Sequence, residues 1–292
     1  MFNKKNKKRI KIVKMKKINI LKYSILALSA LVCVTACDKE KDEPEDNNVV
    51  DLGLPSGTLW ATCNVGAEKP WDYGDYFAWG ETSSKSVYNW DNYKYCTGGE
   101  ARPMLTKYCD DPICGDNDFC DKLYTLEPAD DAATMVVGGN YSTPTEPDWV
   151  ELCSQCYWIW TTDYNNTGVS GYIVYKAKCD EDKAINRGYH SYTRDEVKGI
   201  IDNLTGMVLD MNWLGFYNGD NPLSEYSLAD IHIFFPASFR FNEGGYYGNY
   251  WSATNSFSPR EARYMSINNG FLGPLGAHYR CDGFSVRPIR RK

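Results

Sequence analysis

From Val49 onward, apolar and polar positions alternate with a period of two in short runs, each bounded by Gly, Pro, Asn or Ser. That period belongs to strands, because successive side chains of a strand point to opposite faces. Three such runs close the chain: Tyr250–Ala253, Glu261–Ile267 and Gly283–Ile289. Between the last two lies Asn268–Asp282, NNGFLGPLGAHYRCD, whose glycines and Pro274 predict an irregular loop. Earlier, Thr58–Asn64, Tyr76–Trp79, Tyr157–Thr161, Tyr172–Ala177 and Ile231–Phe235 read as strands. The third and fourth of these form a hairpin across an Asn/Gly-rich turn, and Pro236 stops the last. Helical spacing is clear in two places. At Thr145, a capping box with Asp148 and an early Pro147 precede an apolar stripe of Trp149, Cys153 and Cys156. Over Thr193–Leu204, Thr193 pairs with Glu196 as a capping box, and Val197, Ile200, Ile201 and Leu204 share one face. The pattern implies one β-rich domain of about 240 residues with few helices and a sizeable core.

Residues 1–36 follow a different rule. Met1–Lys22 holds ten Lys or Arg and no acid, and Tyr23–Ala36 is a fourteen-residue apolar run. That run is too short to span a bilayer as a helix but suits the core of a signal peptide, and a plain anchor helix is the alternative. It ends Val34-Thr35-Ala36-Cys37, which resembles a bacterial lipobox, so Cys37 is the expected lipidated N-terminus of the mature protein. Met15 is a second candidate start, since Met1 gives an unusually long basic region. Residues 37–48 are charged, contain Pro44 and bury nothing, which makes them a solvated tether. The tract also resembles the acidic export signal of Bacteroidota surface lipoproteins.

Removing the basic leader leaves 22 basic side chains against 38 acidic ones. Such a surface repels phosphate backbones and argues against nucleic acid as a partner. Of the eleven cysteines, nine remain after Cys33 is cleaved off and Cys37 is lipidated, and an exported compartment favours disulfides among them. By proximity, the pairings expected first are Cys96 with Cys109 and Cys114 with Cys120, out of three connectivities for these four.

Chemistry is sparse. His190, His232 and His278 are the only histidines, with no H-E-x-x-H and no G-x-S-x-G, and His232 sits inside an apolar strand as a core residue would. Asp110, Asp111, Asp116, Asp118 and Asp121 cluster among cysteines, but their spacing fits no EF-hand loop, so neither a metal nor a cofactor is expected. Glu146-Pro147-Asp148 has the letters of a calcium-lectin tripeptide yet falls at a helix start. The 22 Tyr and 9 Trp suit either sugar stacking or the core of a β-rich domain. Arg287, beside Phe284 and Val286, is expected to pair with a buried acid, Asp75 or Asp131.

VDLGLPSGTLWATCNVGA, YGDYFAWGET, LEPADDAA, PTEPDWVELCSQCYWIWTT, IFFPAS, YWSAT and GFSVRPI occur in this order. Together they resemble the domain family called Fibrobacter succinogenes major paralogous, common in surface lipoproteins of Bacteroidota. The resemblance implies an α+β, C-type-lectin-like fold: a small twisted antiparallel sheet, few helices, long loops, and paired N- and C-terminal strands. It implies a non-catalytic domain binding a glycan or a protein at the outer face of the outer membrane. A structural envelope component is the alternative. An enzyme akin to formylglycine-generating enzymes comes third, because Cys281 stands alone where a cysteine pair is needed. Lys178–Asp230 reads as an insertion relative to the family. Contacts with a ligand are expected from Phe271, Leu272, His278, Tyr279 and Arg280 on the Asn268–Asp282 loop.

Cys37→Ala is expected to release the protein from the membrane fraction of its host, measured by fractionation and immunoblot. A variant that still partitions wholly with membranes contradicts the lipobox reading.

Overall fold

The computed structural model describes residues 48–183, 222–240, 243–244, 247–269 and 271–292. The leader, Cys37, most of the tether, His190 and the expected helix Thr193–Leu204 lie outside the described residues. In chain order, β1 (Val49–Val50), β2 (Leu59–Ala61) and β3 (Tyr76–Phe77) open the domain, and β4 (Cys96–Thr97) pairs with β5 (Met104–Leu105) in a loop-rich stretch. Next come β6 (Tyr141–Ser142), helix α1 (Glu146–Gln155), and the strands β7 (Cys156–Thr161), β8 (Gly171–Lys176) and β9 (His232–Pro236). A small ribbon of β10 (Ser238–Arg240) and β11 (Glu243–Gly244) leads into a meander of β12 (Tyr247–Asn255), β13 (Glu261–Asn268) and β14 (Phe271–Tyr279). The chain ends with β15 (Phe284–Ser285) and β16 (Ile289–Arg290).

Three sheets carry the architecture: a four-stranded one in the order β1-β2-β16-β6, a five-stranded one in the order β14-β13-β12-β15-β3, and the antiparallel β7-β8-β9. The first and last strands of the domain therefore lie in one sheet, with Trp60 opposite Ile289. Gly283–Ile289 does not form the single strand its pattern suggests. It splits into β15 and β16, which belong to different sheets, and the chain crosses between them at Val286-Arg287-Pro288.

Asn268–Asp282 is not a loop. Most of it is β14, the edge strand of the five-stranded sheet, paired along β13 from Asn268↔Phe271 to Glu261↔Tyr279. Pro274 is tolerated because the register shifts between Tyr264 and Ser266 of β13, and because one side of an edge strand has no ladder to satisfy. The glycines that suggest a loop make room for rings instead.

Helix α1 begins as its sequence suggests. Asp148 reaches back to the Thr145 amide at 2.8 Å, and Arg291 clamps the same carboxylate with contacts of 2.6 and 2.8 Å. Its buried face, Trp149, Leu152 and Cys153, packs with Trp60, Phe235, Tyr250, Met265, Ile267 and Leu272. Cys156 falls on β7 rather than on the helix, and it is buried there. A second cluster on the other face of the five-stranded sheet gathers Phe77, Trp79, Tyr108, Trp251 and Phe284 under the loops of residues 78–133. There Trp79 donates to the Ser252 carbonyl at 2.8 Å and Trp251 to the Phe77 carbonyl at 2.6 Å, so each ring buries its N–H on the other's segment.

Arg287 is fully buried, and the acid expected beside it is absent. Asp75 is not its partner, and Asp131 accepts from the amides of Ala133 and Thr143 and from the Thr143 hydroxyl. The guanidinium donates instead to the carbonyls of Ala61, Thr62 and Phe234 at 3.0, 3.0 and 2.8 Å and to Asn64 Oδ1 at 2.8 Å, and it lies over the Phe235 ring. The expected disulfides are absent too: all nine described cysteines are free. The Cys109 thiol faces the Asp111 carbonyl and that of Cys96 its neighbour Thr97, so neither is directed at the other.

Asp130 ties down the loop layer. It is buried and accepts from Lys107 Nζ at 2.5 Å, the Tyr108 hydroxyl at 2.8 Å, Lys94 Nζ at 3.2 Å and the Tyr95 hydroxyl. Burial pushes its carboxyl up, but the bonds from Lys107, Tyr95, Tyr108 and Lys94 outweigh that and hold it well below the usual carboxylate range. The base of the Lys178–Asp230 insertion is fastened in a similar way. Tyr226 stacks on Tyr157, its hydroxyl donates to Asp182 at 2.6 Å, and it accepts from the Lys178 amide at 2.9 Å.

Two expectations follow. Arg287→Met, measured by urea denaturation, should lose on the order of 3–5 kcal/mol, since several buried carbonyls lose their donor at once; a loss below about 1 kcal/mol would remove Arg287 from the centre of the fold. Asp130→Asn should cost roughly 1–3 kcal/mol at pH 7. A carboxyl depressed by folding stabilises above its unfolded pKa of about 4 and loses that stabilisation as pH falls through its folded value. The gap between wild type and Asp130→Asn should therefore narrow below about pH 4; a gap constant from pH 7 to pH 3 contradicts the charge-based account.

Candidate ligand-binding face

The meander β12–β14 packs one face on α1 and β9, its opposite face joins the second core cluster at the Trp251 end, and the alternation decides which residue goes where. Gly248, Ile267 and Leu272 lie in one cross-strand row, and Tyr250 and Met265 in the next; these rows meet α1 and β9. The positions between them form the opposite face. Its rows are Tyr247–Asn268–Phe271, then Asn249–Ser266–Gly273, then Trp251–Tyr264–Gly276, followed by Ala262 opposite His278. Directly opposed side chains stand about 5 Å apart, close enough to act on one ligand.

Two glycines shape this face. A Cβ on Gly276 would lie 2.5 Å from the Tyr264 ring, and one on Gly273 would lie 2.7 Å from the Phe271 ring. Each ring therefore packs closely on the backbone of β14, where a side chain at the glycine would push it away. Both are half-buried. Tyr264 touches Phe284 and His278, with ring centroids 5.2 and 6.0 Å away. His278 Nδ1 lies 2.6 Å from an Asp282 carboxylate oxygen. Tyr279 is 52% exposed and leans edge-on against Trp90, and Tyr247, at the far end, is 48% exposed.

Of the five residues expected to meet a ligand, Phe271, His278 and Tyr279 reach this region. Leu272 and Arg280 do not: both are buried, because β14 is a strand and not a displayed loop. Leu272 belongs to the core with Met265 and Ile267. Arg280 donates to the Tyr108 carbonyl at 2.7 Å and Asn255 Oδ1 at 2.5 Å, beneath the Trp79 ring, and pins the loop layer to the sheet. Tyr247 and Asn249 precede the strand expected at Tyr250–Ala253, and Tyr264, Ser266 and Asn268 were passed over because Asn268–Asp282 was read as a loop and not as the strand beside them. Within the expected strand Glu261–Ile267, the period-two pattern already separated Tyr264 and Ser266 from Met265 and Ile267.

Other candidates are spent on structure. Asp121 accepts from the amides of Tyr108, Cys109 and Leu123, and Asp111 from that of Ile113. Among the described residues, no group of three or more His, Cys, Asp or Glu side chains is placed to hold a metal ion. Glu146 pairs with the buried Arg263 at 3.1 Å, and Asp148 caps α1, so that tripeptide serves the helix start. His232 Nδ1 lies 2.8 Å from the Asp230 carbonyl, which places the proton on that nitrogen and leaves Nε2 to accept from the Tyr164 hydroxyl at 2.9 Å. A small recess of ≈ 10 Å³, room for about one water, lies among Trp79, Glu81, Leu126, Asp130, Thr143 and Trp251. Its two acids are already bound, Asp130 as above and Glu81 by Lys85 and the Lys94 amide.

No family model matches the chain, and no curated protein or solved structure does so either.

Proposed function

We propose that this protein is a surface-anchored lipoprotein whose non-catalytic, C-type-lectin-like domain binds a glycan or protein ligand through the outer face of β12–β14. The observation that carries the reading is the pair of half-buried rings, Tyr264 and Phe271, packed against Gly276 and Gly273 among Asn249, Ser266, Asn268 and His278. Such rings offer apolar contact area, and the side chains between them offer donors and acceptors for orientation. The pairing of terminal strands and the paucity of helix support the lectin-like assignment. Anchoring rests on Cys37, with residues 38–48 as the tether that sets the domain off an outer membrane toward the exterior.

A second reading, a structural envelope component, draws on a different place. Met135, Val136 and Val137 are consecutive and 45–56% exposed, an apolar run that would suit assembly with another protein.

The combined variant Tyr247→Ala, His278→Ala and Tyr279→Ala should weaken binding by about 100-fold or more to the ligand that a glycan array or host-protein screen identifies, with the thermal midpoint within a few degrees of wild type. If binding survives while Met135→Ser, Val136→Ser and Val137→Ser abolishes it, the face is the wrong site and the assembly reading takes its place.

A further inference from the structure

Met135, Val136 and Val137 form the tip of a wide helical turn, Ala133–Val137, that ends at Gly138. Gly138 and Gly139 both have left-handed backbone, and a Cβ on either would meet nothing within 4 Å, so this tip stands in the open. Residues 132–145 include no charged side chain over fourteen positions. Isolated exposed apolar side chains are ordinary, but three in succession on an uncharged projection hold apolar surface in water for no packing gain. The segment that carries the tip is firmly seated. Asp131 accepts from the amides of Ala133 and Thr143, the Thr134 hydroxyl donates to the Tyr141 carbonyl at 2.9 Å, and β6 pairs with β16. Its exit is fastened to one end of β12: the Ala253 amide donates to the Pro144 carbonyl at 2.8 Å, and the Glu146 amide to Thr254 Oγ1 at 3.0 Å. The same end of β12 leads to Phe257, which is 66% exposed. It also holds Tyr124, 53% exposed, whose carbonyl accepts from the Asn255 amide at 2.8 Å.

We propose that the tip at residues 135–137 dips into the lipid bilayer to which Cys37 anchors the protein, so that the domain lies on the membrane in one orientation. This goes beyond ligand binding and rests on the proposal that Cys37 is lipidated. The chain that precedes the domain argues for lipid as the occupant. Residues 37–48 end at β1, and β1 and β6 are the two edges of one four-stranded sheet, about 15 Å apart. Twelve residues reach at most about 40 Å when extended, so the tether keeps the bilayer at a high effective concentration around the tip. A free partner protein has no such advantage. Contact with lipid here draws on apolar burial and not on attraction to anionic headgroups. Arg291 and Lys292, just beyond β16, are held by Asp148 and Asp51, and the mature chain is acidic. From Ala253 back to Tyr247, β12 runs about 20 Å. With the tip in lipid, the Tyr247 end of the candidate face is the end held away from the membrane.

The test uses the mature protein purified from its host and reconstituted in phosphatidylcholine vesicles that include a phospholipid with a photoactivatable group in its acyl chain. Mass spectrometry of the peptides locates the lipid adducts. Adducts are expected on residues 135–137 and not on residues 247–249. Met135→Ser, Val136→Ser and Val137→Ser together should lower the yield on this segment at least tenfold, with the thermal midpoint within a few degrees of wild type. Val136→Trp, which suits the membrane interface, should keep or raise the yield, an opposite response that a loss of folding could not give. Added salt should leave the yield unchanged, and anionic phospholipid should not be required for it. Absence of adducts on residues 135–137 while the N-terminal peptide carries its lipid overturns the proposal and leaves the anchoring in place. So do adducts that resist the serine replacement. An N-terminal peptide without lipid overturns both. Adducts that appear only with anionic phospholipid overturn the apolar contact. A second protein cross-linked to this run in intact cells, in place of lipid, overturns it in favour of assembly.

Discussion

Arg287 stands where the last segment of the chain leaves one sheet for another, and the rest of the architecture meets at its guanidinium. Burying a cation without an anion costs far more than burying a neutral group, so the site persists only if every donor finds an acceptor. Four acceptors are supplied from two distant places: Ala61 at the end of β2 with Thr62 and Asn64 just beyond it, and Phe234 in β9. The four-stranded sheet, the β7–β9 sheet and the end of the five-stranded sheet are thus held by one side chain. Neighbouring main-chain bonds extend the junction, with Ala61 donating to the Pro288 carbonyl at 2.9 Å and Val65 to that of Val286 at 2.9 Å. Arginine suits this position because its planar fork presents five donors in fixed directions, whereas a lysine could not reach backbone carbonyls on two sides at once.

Arg280 solves a similar problem seven residues earlier, on the opposite side of the sheet. Its acceptors are again mostly carbonyls, those of Lys107, Tyr108 and Glu261, together with Asn255 Oδ1. The irregular stretch from Trp79 to Asp131 has little regular structure to hold it. It is fixed from above by Asp130 with its lysines and tyrosines, and from below by Arg280. Among the described residues, that layer gathers the Trp251 end of the sheet into the second core cluster, and the alternating residues at the Tyr247 end are not members of it.

Much of this was legible in the sequence, and the failures have a common cause. The start of α1 and the strands β7, β8, β9, β12 and β13 follow from local rules: a capping box, period two, and turn residues at the ends. What local rules could not show was which partner satisfies a buried polar group. Arg287 suggests an acid because opposite charges come first to mind, yet carbonyls scattered over 173 positions do the work. Asn268–Asp282 suggests a loop because Gly and Pro weaken isolated strands. In the folded sheet those glycines receive rings from Tyr264 and Phe271, and Pro274 falls at a register shift of an edge strand, so the local penalty disappears into the tertiary arrangement. At the candidate site, Tyr264 and Ser266 were separated from the core by their own alternation, and the assignment of the neighbouring segment to a loop hid the face they form.

The division of labour along the meander has a further consequence. Gly248, Tyr250, Met265, Ile267 and Leu272 belong to the core, while Tyr247, Asn249, Ser266 and Asn268 alternate with them on the same strands. A substitution among the second set changes what the face presents without altering the packing on α1, because a strand's two faces share backbone but not side-chain contacts. The same freedom does not extend to Gly273 and Gly276, where a single methyl would collide with a ring. On the proposed function, recognition and stability are written in alternate letters of one segment, with two glycines fixed by the rings packed on them. Such a surface can be re-specified residue by residue while the fold beneath it stays the same.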